Sequence, residues 1–154
     1  MDNTGNVREW PSEEVLAYYL VQRSSQTAEQ SVVRKVIELG AGKSGLIGLV
    51  SAALMHRRQE GACEVVITDG NDRCVQSLQA NVALNLPQFE QVLVRACPLL
   101  WSRNEDPEPV FGKFDQILIA DCLFFENFHI DLVYTLRQLA HGETEVLIAA
   151  PERG

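Results

Sequence analysis

Three glycines between an apolar segment and a helical pattern constrain the fold of this chain most. They have the spacing Gly40-x-Gly42-x-x-Gly45 and follow a short apolar run that ends at Leu39. A missing Cβ lets the backbone turn sharply and approach a ligand closely, while the next helix begins with N–H groups that lack intrahelical partners. The pattern therefore predicts a strand–turn–helix unit whose loop binds a ligand.

An acidic residue at the end of the next predicted strand strengthens this interpretation. The strand covers residues 63–69 and ends at Asp69. A carboxylate in that position can accept hydrogen bonds from ribose hydroxyls. Together the two features favour a nucleotide-type ligand over a glycine turn that serves packing alone.

Three classes of nucleotide site compete for this loop. Gly42-Lys43-Ser44 is typical of the end of a phosphate-binding P-loop, but that motif needs a glycine where this chain has Ile37. A dinucleotide oxidoreductase fits the glycine spacing, yet such enzymes usually need a second mononucleotide half and a substrate domain, for which 154 residues leave little room. The third class is an S-adenosylmethionine (SAM) site. It is favoured because Glu38-Leu39-Gly40-x-Gly42 resembles motif I of the class I methyltransferases.

Strand-like and helix-like patterns alternate along the chain, which predicts a parallel α/β sheet with helices on both faces. Ser12 can cap a first helix, whose first turn is complemented by Glu13 and Glu14. The predicted strands cover residues 33–39, 63–69, about 91–96, 114–121 and 144–150, and further helices are predicted over 44–57, around 75–82 and over 132–140. Ligands of such sheets bind beyond the carboxyl ends of the strands, where Gly40, Asp69 and Asp121 lie.

Composition excludes several other functions. The net charge of −8, without any large Lys/Arg cluster, argues against nucleic-acid binding. The four cysteines and three histidines lack metal-ligand spacing, so we expect no metal site. No signal peptide and no apolar run of membrane-spanning length is visible. We therefore expect a soluble, single-domain protein of the cytoplasm, and also of the nucleus, with no membrane partner.

Several segments together resemble the seven-β-strand protein lysine methyltransferases, and within them the calmodulin-type members. The resemblance implies the Rossmann-like class I methyltransferase fold, SAM as the cofactor and a protein substrate, with calmodulin expected. The segments that carry it are Trp10-Pro11-Ser12-Glu13-Glu14-Val15-Leu16-Ala17-Tyr18-Tyr19, Glu38-Leu39-Gly40, Thr68-Asp69-Gly70-Asn71, Ala120-Asp121-Cys122-Leu123-Phe124 and Ala149-Ala150-Pro151-x-Arg153-Gly154.

The resemblance also implies a role for each candidate site residue. Gly40, Ala41 and Gly42 would contact the methionine part of SAM through their backbone, Glu38 would be a further cofactor-binding residue, and Asp69 would bind the ribose. Trp101 would flank the adenine, Trp10 would close over the cofactor, and Ala120 would line the pocket. Asp121 and Phe124 would face the lysine channel as the catalytic pair. Simpler roles stay open: the tryptophans can anchor a loop or a helix, Glu38 can brace the turn, and Asp121 can cap a helix.

Two departures from the family pattern qualify this expectation. The wider family tends to have tyrosine where this chain has Phe124, although the calmodulin-type members resemble it in having phenylalanine. The resemblance also implies a further helix and two more strands after the fifth strand. We therefore expect one C-terminally incomplete domain, with an N-terminal segment and helix over 1–31 and a Rossmann-like core over 32–154. A shortened form that binds a partner without turnover is the alternative.

Overall fold

The computed structural model describes residues 10–26, 33–59, 61–123 and 126–152. Helices and strands alternate along them, as the sequence predicts. Two short 3₁₀ turns occur at Leu86–Gln88 and Glu126–Phe128. The helices are α1 Pro11–Gln26, α2 Leu46–Arg58, α3 Asp72–Asn85, α4 Glu108–Phe111 and α5 His129–Leu139; the strands are β1 Lys35–Leu39, β2 Cys63–Asp69, β3 Val92–Pro98, β4 Phe114–Ala120 and β5 Ala140–Ala149.

The described strands form one parallel sheet in the order β3-β2-β1-β4-β5. β1 lies at its centre, and Leu39 pairs with Thr68 of β2 and with Ile119 of β4. The carboxyl ends of these three strands therefore meet at one edge of the sheet. The chain leaves β1 toward β2 and later returns to β4, so the strand order reverses beside β1. Ligands of open α/β sheets bind at such a reversal.

Alternate residues of the central strands pack on opposite faces of the sheet. One face, which includes Val36 and Ile67, is covered by α1, α2 and α3. The other face, which includes Ile37 and Phe114, packs against α4 and α5. Burial on both faces explains why the strands read as nearly continuous apolar runs. Within the described ranges, every helix is too short or too polar to span a lipid bilayer.

Three details differ from the sequence prediction. The first helix begins at Pro11, so Ser12 lies inside its first turn and does not cap it. Proline suits this position because the first helical N–H has no intrahelical partner. The segment expected to be loop contains α4, a single helical turn. Finally, β5 begins at Ala140 directly after α5, with a register irregularity before Glu145 pairs regularly with Gln116.

Candidate functional site

The glycine loop is joined to the end of β2 by two hydrogen bonds. The main-chain N–H of Gly42 donates to Oδ2 of Asp69 at 2.9 Å, and the N–H of Ala41 donates to the carbonyl of Thr68 at 2.9 Å. The Thr68 hydroxyl in turn donates to the carbonyl of Glu38 at 2.7 Å. The strand pairing of β1 and β2 thus continues into the turn, so the loop and the predicted ribose-binding carboxylate form one cradle.

Asp69 is held on both sides of this cradle. Its Oδ1 accepts the N–H of Asn71 at 2.8 Å, while the Asn71 side chain accepts the N–H of Arg73 at 2.9 Å and caps α3. Burial raises the pKa of Asp69, although the N–H groups of Asn71 and Gly42 oppose that rise. The carboxylate is therefore fixed in orientation and half-buried, as a ligand-binding group at the end of a strand should be.

Two side chains crowd the turn at Gly40. Its φ is +66°, a conformation that residues with a Cβ rarely adopt. A Cβ there would lie 2.6 Å from Sγ of Cys122 and 3.0 Å from the ring of Trp101. Glycine is therefore required at this position both by the backbone and by the space available. The contact also brings Trp101, predicted to flank an adenine, against the same loop.

Glu38 is turned away from the loop surface. Its side chain is 1% exposed, and its Oε2 accepts the N–H of Gly48 in α2 at 2.7 Å. Burial, with a smaller effect of the negative charges of Glu13 and Asp69, raises the pKa of this carboxyl to about 8, although the N–H of Gly48 opposes the rise. This geometry matches the bracing role that the sequence left open, and cofactor contact by Glu38 stays a prediction.

Two residues that sequence reasoning missed also hold the loop. The buried carboxylate of Glu13 in α1 accepts a hydrogen bond from the hydroxyl of Ser44. From α3, the Asn81 side-chain amide donates to the carbonyls of Lys43 at 2.9 Å and Ser44 at 3.1 Å. From the sequence, Glu13 is predicted only to complement the dipole of the first helix. Its place one turn after Trp10, in a segment already linked to the cofactor, was the available signal.

The end of β4 supplies the predicted catalytic carboxylate. Asp121 is 5% exposed and has a φ of +54°, and its N–H donates to the carbonyl of Ala149 at 2.9 Å. The preceding Ala120 is buried as well, and its carbonyl lies 3.2 Å from Sγ of Cys122. Because Cys122 also touches Gly40, the end of β4 adjoins the glycine loop. The other predicted catalytic residue, Phe124, lies outside the described residues.

The structure thus brings most of the predicted residues to one edge of the sheet. Gly40, Ala41, Gly42 and Asp69 form the cradle, and Trp101 packs against it. Asp121 lies beside it, directly after the last residue of β4. Trp10 is half-buried, and its carbonyl accepts the N–H of Glu13 at 3.0 Å. The contacts of these residues with a ligand stay predictions.

Carboxylates dominate the electrostatics of this edge. Burial, together with the nearby charges of Asp69, Glu38, Asp121 and Glu13, raises the pKa of the Cys122 thiol to about 12. A negative field suits a cationic ligand. Across the part of the chain that the structure describes, no cluster of three or more histidine, cysteine, aspartate or glutamate residues is arranged to hold a metal ion.

Comparison with known proteins gives consistent matches. A family model described as lysine methyltransferase matches residues 3–154. The calmodulin-lysine N-methyltransferase of Arabidopsis thaliana is 41% identical over 156 residues, covering 100% of this chain and 48% of the relative. The protein N-lysine methyltransferase METTL21A of Danio rerio is 40% identical over 116 residues, covering 75% of this chain and 49% of the relative. The chain therefore spans about half the length of the curated relatives it matches.

Solved structures support the fold. A SAM-dependent methyltransferase from Agrobacterium tumefaciens is similar with a TM-score of 0.62 and 18% identity, covering 94% of this chain and 46% of that one. The Rossmann-like class I methyltransferase fold that the sequence resemblance implied is thus confirmed.

Proposed function

The chain belongs to the lysine methyltransferase family, and from this premise we propose that it transfers a methyl group from SAM to a lysine side chain of a protein. The observation that carries the proposal is the hydrogen bond from Gly42 to Asp69, which joins the glycine loop to the acid at the end of β2. The family and the fold imply SAM as the cofactor.

The residues at the sheet edge fit this cofactor. Gly40 and Gly42, both with positive φ, leave a surface without side chains on which the methionine part can lie. Asp69 provides acceptors for ribose hydroxyls, and the Trp101 ring provides an apolar surface beside the turn. The carboxylates also complement a ligand that carries two cations, a sulfonium and an ammonium group.

When bound, SAM supplies an activated methyl group on a positively charged sulfur. The protein has to align the lysine nitrogen with that methyl group and to exclude water. It must also favour the neutral amine, because free lysine has a pKa of about 10.4. Asp121, buried at the end of β4, is suited to orient the amine or to accept its proton. Phe124 would pack beside the apolar stem of the lysine.

We further propose calmodulin as the substrate, because the Arabidopsis relative named for that activity matches along the whole of this chain. The test is to incubate the protein with SAM labelled in its methyl group and with unmethylated calmodulin. Calmodulin whose lysines have been acetylated serves as the control, because an amide nitrogen does not accept a methyl group. We expect label in the lysines of unmethylated calmodulin and none in the control. Binding of SAM with label in neither protein would refute calmodulin as the substrate of this chain.

A second candidate function is a form that binds SAM and a partner without turnover. The open edge of the sheet favours it, because β5 pairs with β4 alone among the described strands. Label in calmodulin in the same assay would exclude this second candidate. Adding NAD to the binding measurement tests the less favoured oxidoreductase, which requires NAD to bind and SAM not to bind.

A further inference from the structure

A carboxylate from outside the sheet lies directly beside the glycine loop. Glu13 is in the first turn of α1 and is 6% exposed. The Ser44 hydroxyl donates to its Oε2, while its Oε1 lies 3.8 Å from the position that a Cβ at residue 42 would take. One carboxylate oxygen is therefore fixed by the loop, and the other lies next to the surface that Gly42 leaves open.

The ammonium group of the methionine part of SAM needs a partner of this kind. An ammonium group carries only donors, so it requires a carboxylate or carbonyl oxygen. The N–H groups of the glycine loop are donors themselves and cannot serve it. An acceptor for this group therefore has to come from a neighbouring side chain or carbonyl.

The other two carboxylates near the loop are suited to other roles. Asp69 lies at the end of β2, where we propose that it binds the ribose, and its two oxygens are oriented by the N–H groups of Gly42 and Asn71. Glu38 accepts the N–H of Gly48, and its buried carboxyl has a pKa raised to about 8, so it is mostly protonated at neutral pH. A mostly neutral carboxyl facing α2 is a poor partner for a cation.

We propose that the carboxylate of Glu13 binds the α-ammonium group of SAM and so selects ligands that carry an intact amino-acid end. The inference rests on the proposed function, because it assigns a residue to the same cofactor site. It gives α1 a role in binding in addition to its role in packing.

The test compares two ligands on three proteins by isothermal titration calorimetry. The ligands are S-adenosylhomocysteine and its analogue in which hydrogen replaces the α-amino group. The proteins are the wild type, Glu13→Gln and Glu14→Gln. Glutamine at residue 13 can still accept the Ser44 hydrogen bond, and Glu14 is an exposed neighbour on the same helical turn, so its variant is a matched control.

A hydrogen-bonded ion pair predicts a selective effect. Glu13→Gln should bind S-adenosylhomocysteine roughly 10- to 100-fold more weakly, the range for loss of a hydrogen bond to a charged group. The affinity of Glu13→Gln for the deaminated analogue should change less than about threefold, and such a result would show that the cradle is intact. Glu14→Gln should match the wild type with both ligands.

Two results would overturn the inference alone: an equal loss of affinity for both ligands, which indicates a structural role for Glu13, or unchanged affinity for S-adenosylhomocysteine. Failure of the wild type to bind either ligand would instead overturn the proposed function, and this inference with it.

Discussion

The main-chain nitrogen of Gly42 lies 2.9 Å from Oδ2 of Asp69, to which its N–H donates a hydrogen bond, although the two residues are 27 positions apart in the sequence. The contact joins the turn after β1 to the last residue of β2. It depends on the parallel pairing of the two strands, in which Leu39 lies opposite Thr68. A mismatch of one residue in this register would point Asp69 to the other face of the sheet. The fold and the proposed cofactor site are therefore determined by the same strand pairing.

Gly40→Ala should destabilise the protein by about 2–4 kcal/mol, because it combines an unfavourable left-handed backbone with a steric clash. The atom nearest to the new Cβ is Sγ of Cys122, at 2.6 Å. The cost of Gly40→Ala should therefore be at least about 1 kcal/mol smaller when Cys122 is also replaced by alanine. A double-mutant cycle measured by urea denaturation checks this coupling. Strict additivity of the two substitutions would contradict the proposed contact.

Glu38 should make the folded state less stable as the pH rises. Its carboxyl has a pKa of about 8 in the folded protein against an ordinary value of 4.5. Between these pH values the unfolded chain releases the proton and the folded chain keeps it. The contribution of this group to the free energy of unfolding is therefore largest below about pH 4.5 and is lost as the pH rises to about 8. Over this pH range the free energy of unfolding should fall by on the order of 3–5 kcal/mol.

The measurement is urea denaturation of the wild type and Glu38→Gln from pH 5 to pH 8. The variant should gain stability relative to the wild type as the pH rises, because glutamine cannot ionise. The exposed Glu14→Gln, which removes the same charge from the surface, should follow the wild-type profile. A constant difference between Glu38→Gln and the wild type across this range would show that Glu38 titrates normally.

Asp121→Asn should separate transfer from cofactor binding. Asparagine adopts the left-handed backbone found at this position, with a φ of +54°, as readily as aspartate does, so the fold should be retained. The substitution removes the charge that we propose orients the lysine amine, so the transfer rate should fall by about 10²-fold or more. Affinity for S-adenosylhomocysteine should change little. A parallel fall in both quantities, measured by labelled transfer and calorimetry, would remove Asp121 from the lysine-facing role.

Asn81→Ala tests whether α3 holds the glycine loop in place. The substitution removes the two hydrogen bonds to the carbonyls of Lys43 and Ser44, which should destabilise the protein by about 1–2 kcal/mol. It should also weaken binding of S-adenosylhomocysteine, because the loop is less well ordered. Ser77→Ala, which removes a hydrogen bond within the same helix from the Ser77 hydroxyl to the carbonyl of Arg73, is the matched control. Equal effects of the two substitutions in thermal denaturation and calorimetry would refute the loop-holding role.

The sequence predicted the sheet and the cradle because both depend on local patterns. Apolar runs marked the buried strands, and glycine spacing with an acid at the next strand end marked Gly42 and Asp69. Glu13 and Asn81 could not be found in this way. Their contacts with the loop cross 31 and at least 37 residues of sequence, and each residue type has an ordinary role in a helix. Only the packing of α1 and α3 around the loop makes their side chains part of the site.

The register irregularity at the start of β5 was equally hidden. The prediction began this strand at Thr144, whereas the structure begins it at Ala140. The Thr144 hydroxyl accepts the N–H of His141 at 2.8 Å and donates to the carbonyl of Phe114 at 2.6 Å. A local turn of this kind leaves no periodic signal in the sequence. The sequence therefore predicted only the later part of β5, which pairs regularly with β4.

Calorimetric titration of S-adenosylhomocysteine into the wild type and Asp69→Ala tests the cofactor cradle most directly, with far-ultraviolet circular dichroism to confirm that both proteins are folded. The wild type should bind one equivalent, and Asp69→Ala should bind at least about 10-fold more weakly, because hydrogen bonds to a charged acceptor are lost. Equal affinity of the two folded proteins, or no binding by the wild type, would contradict a SAM site at the ends of β1 and β2.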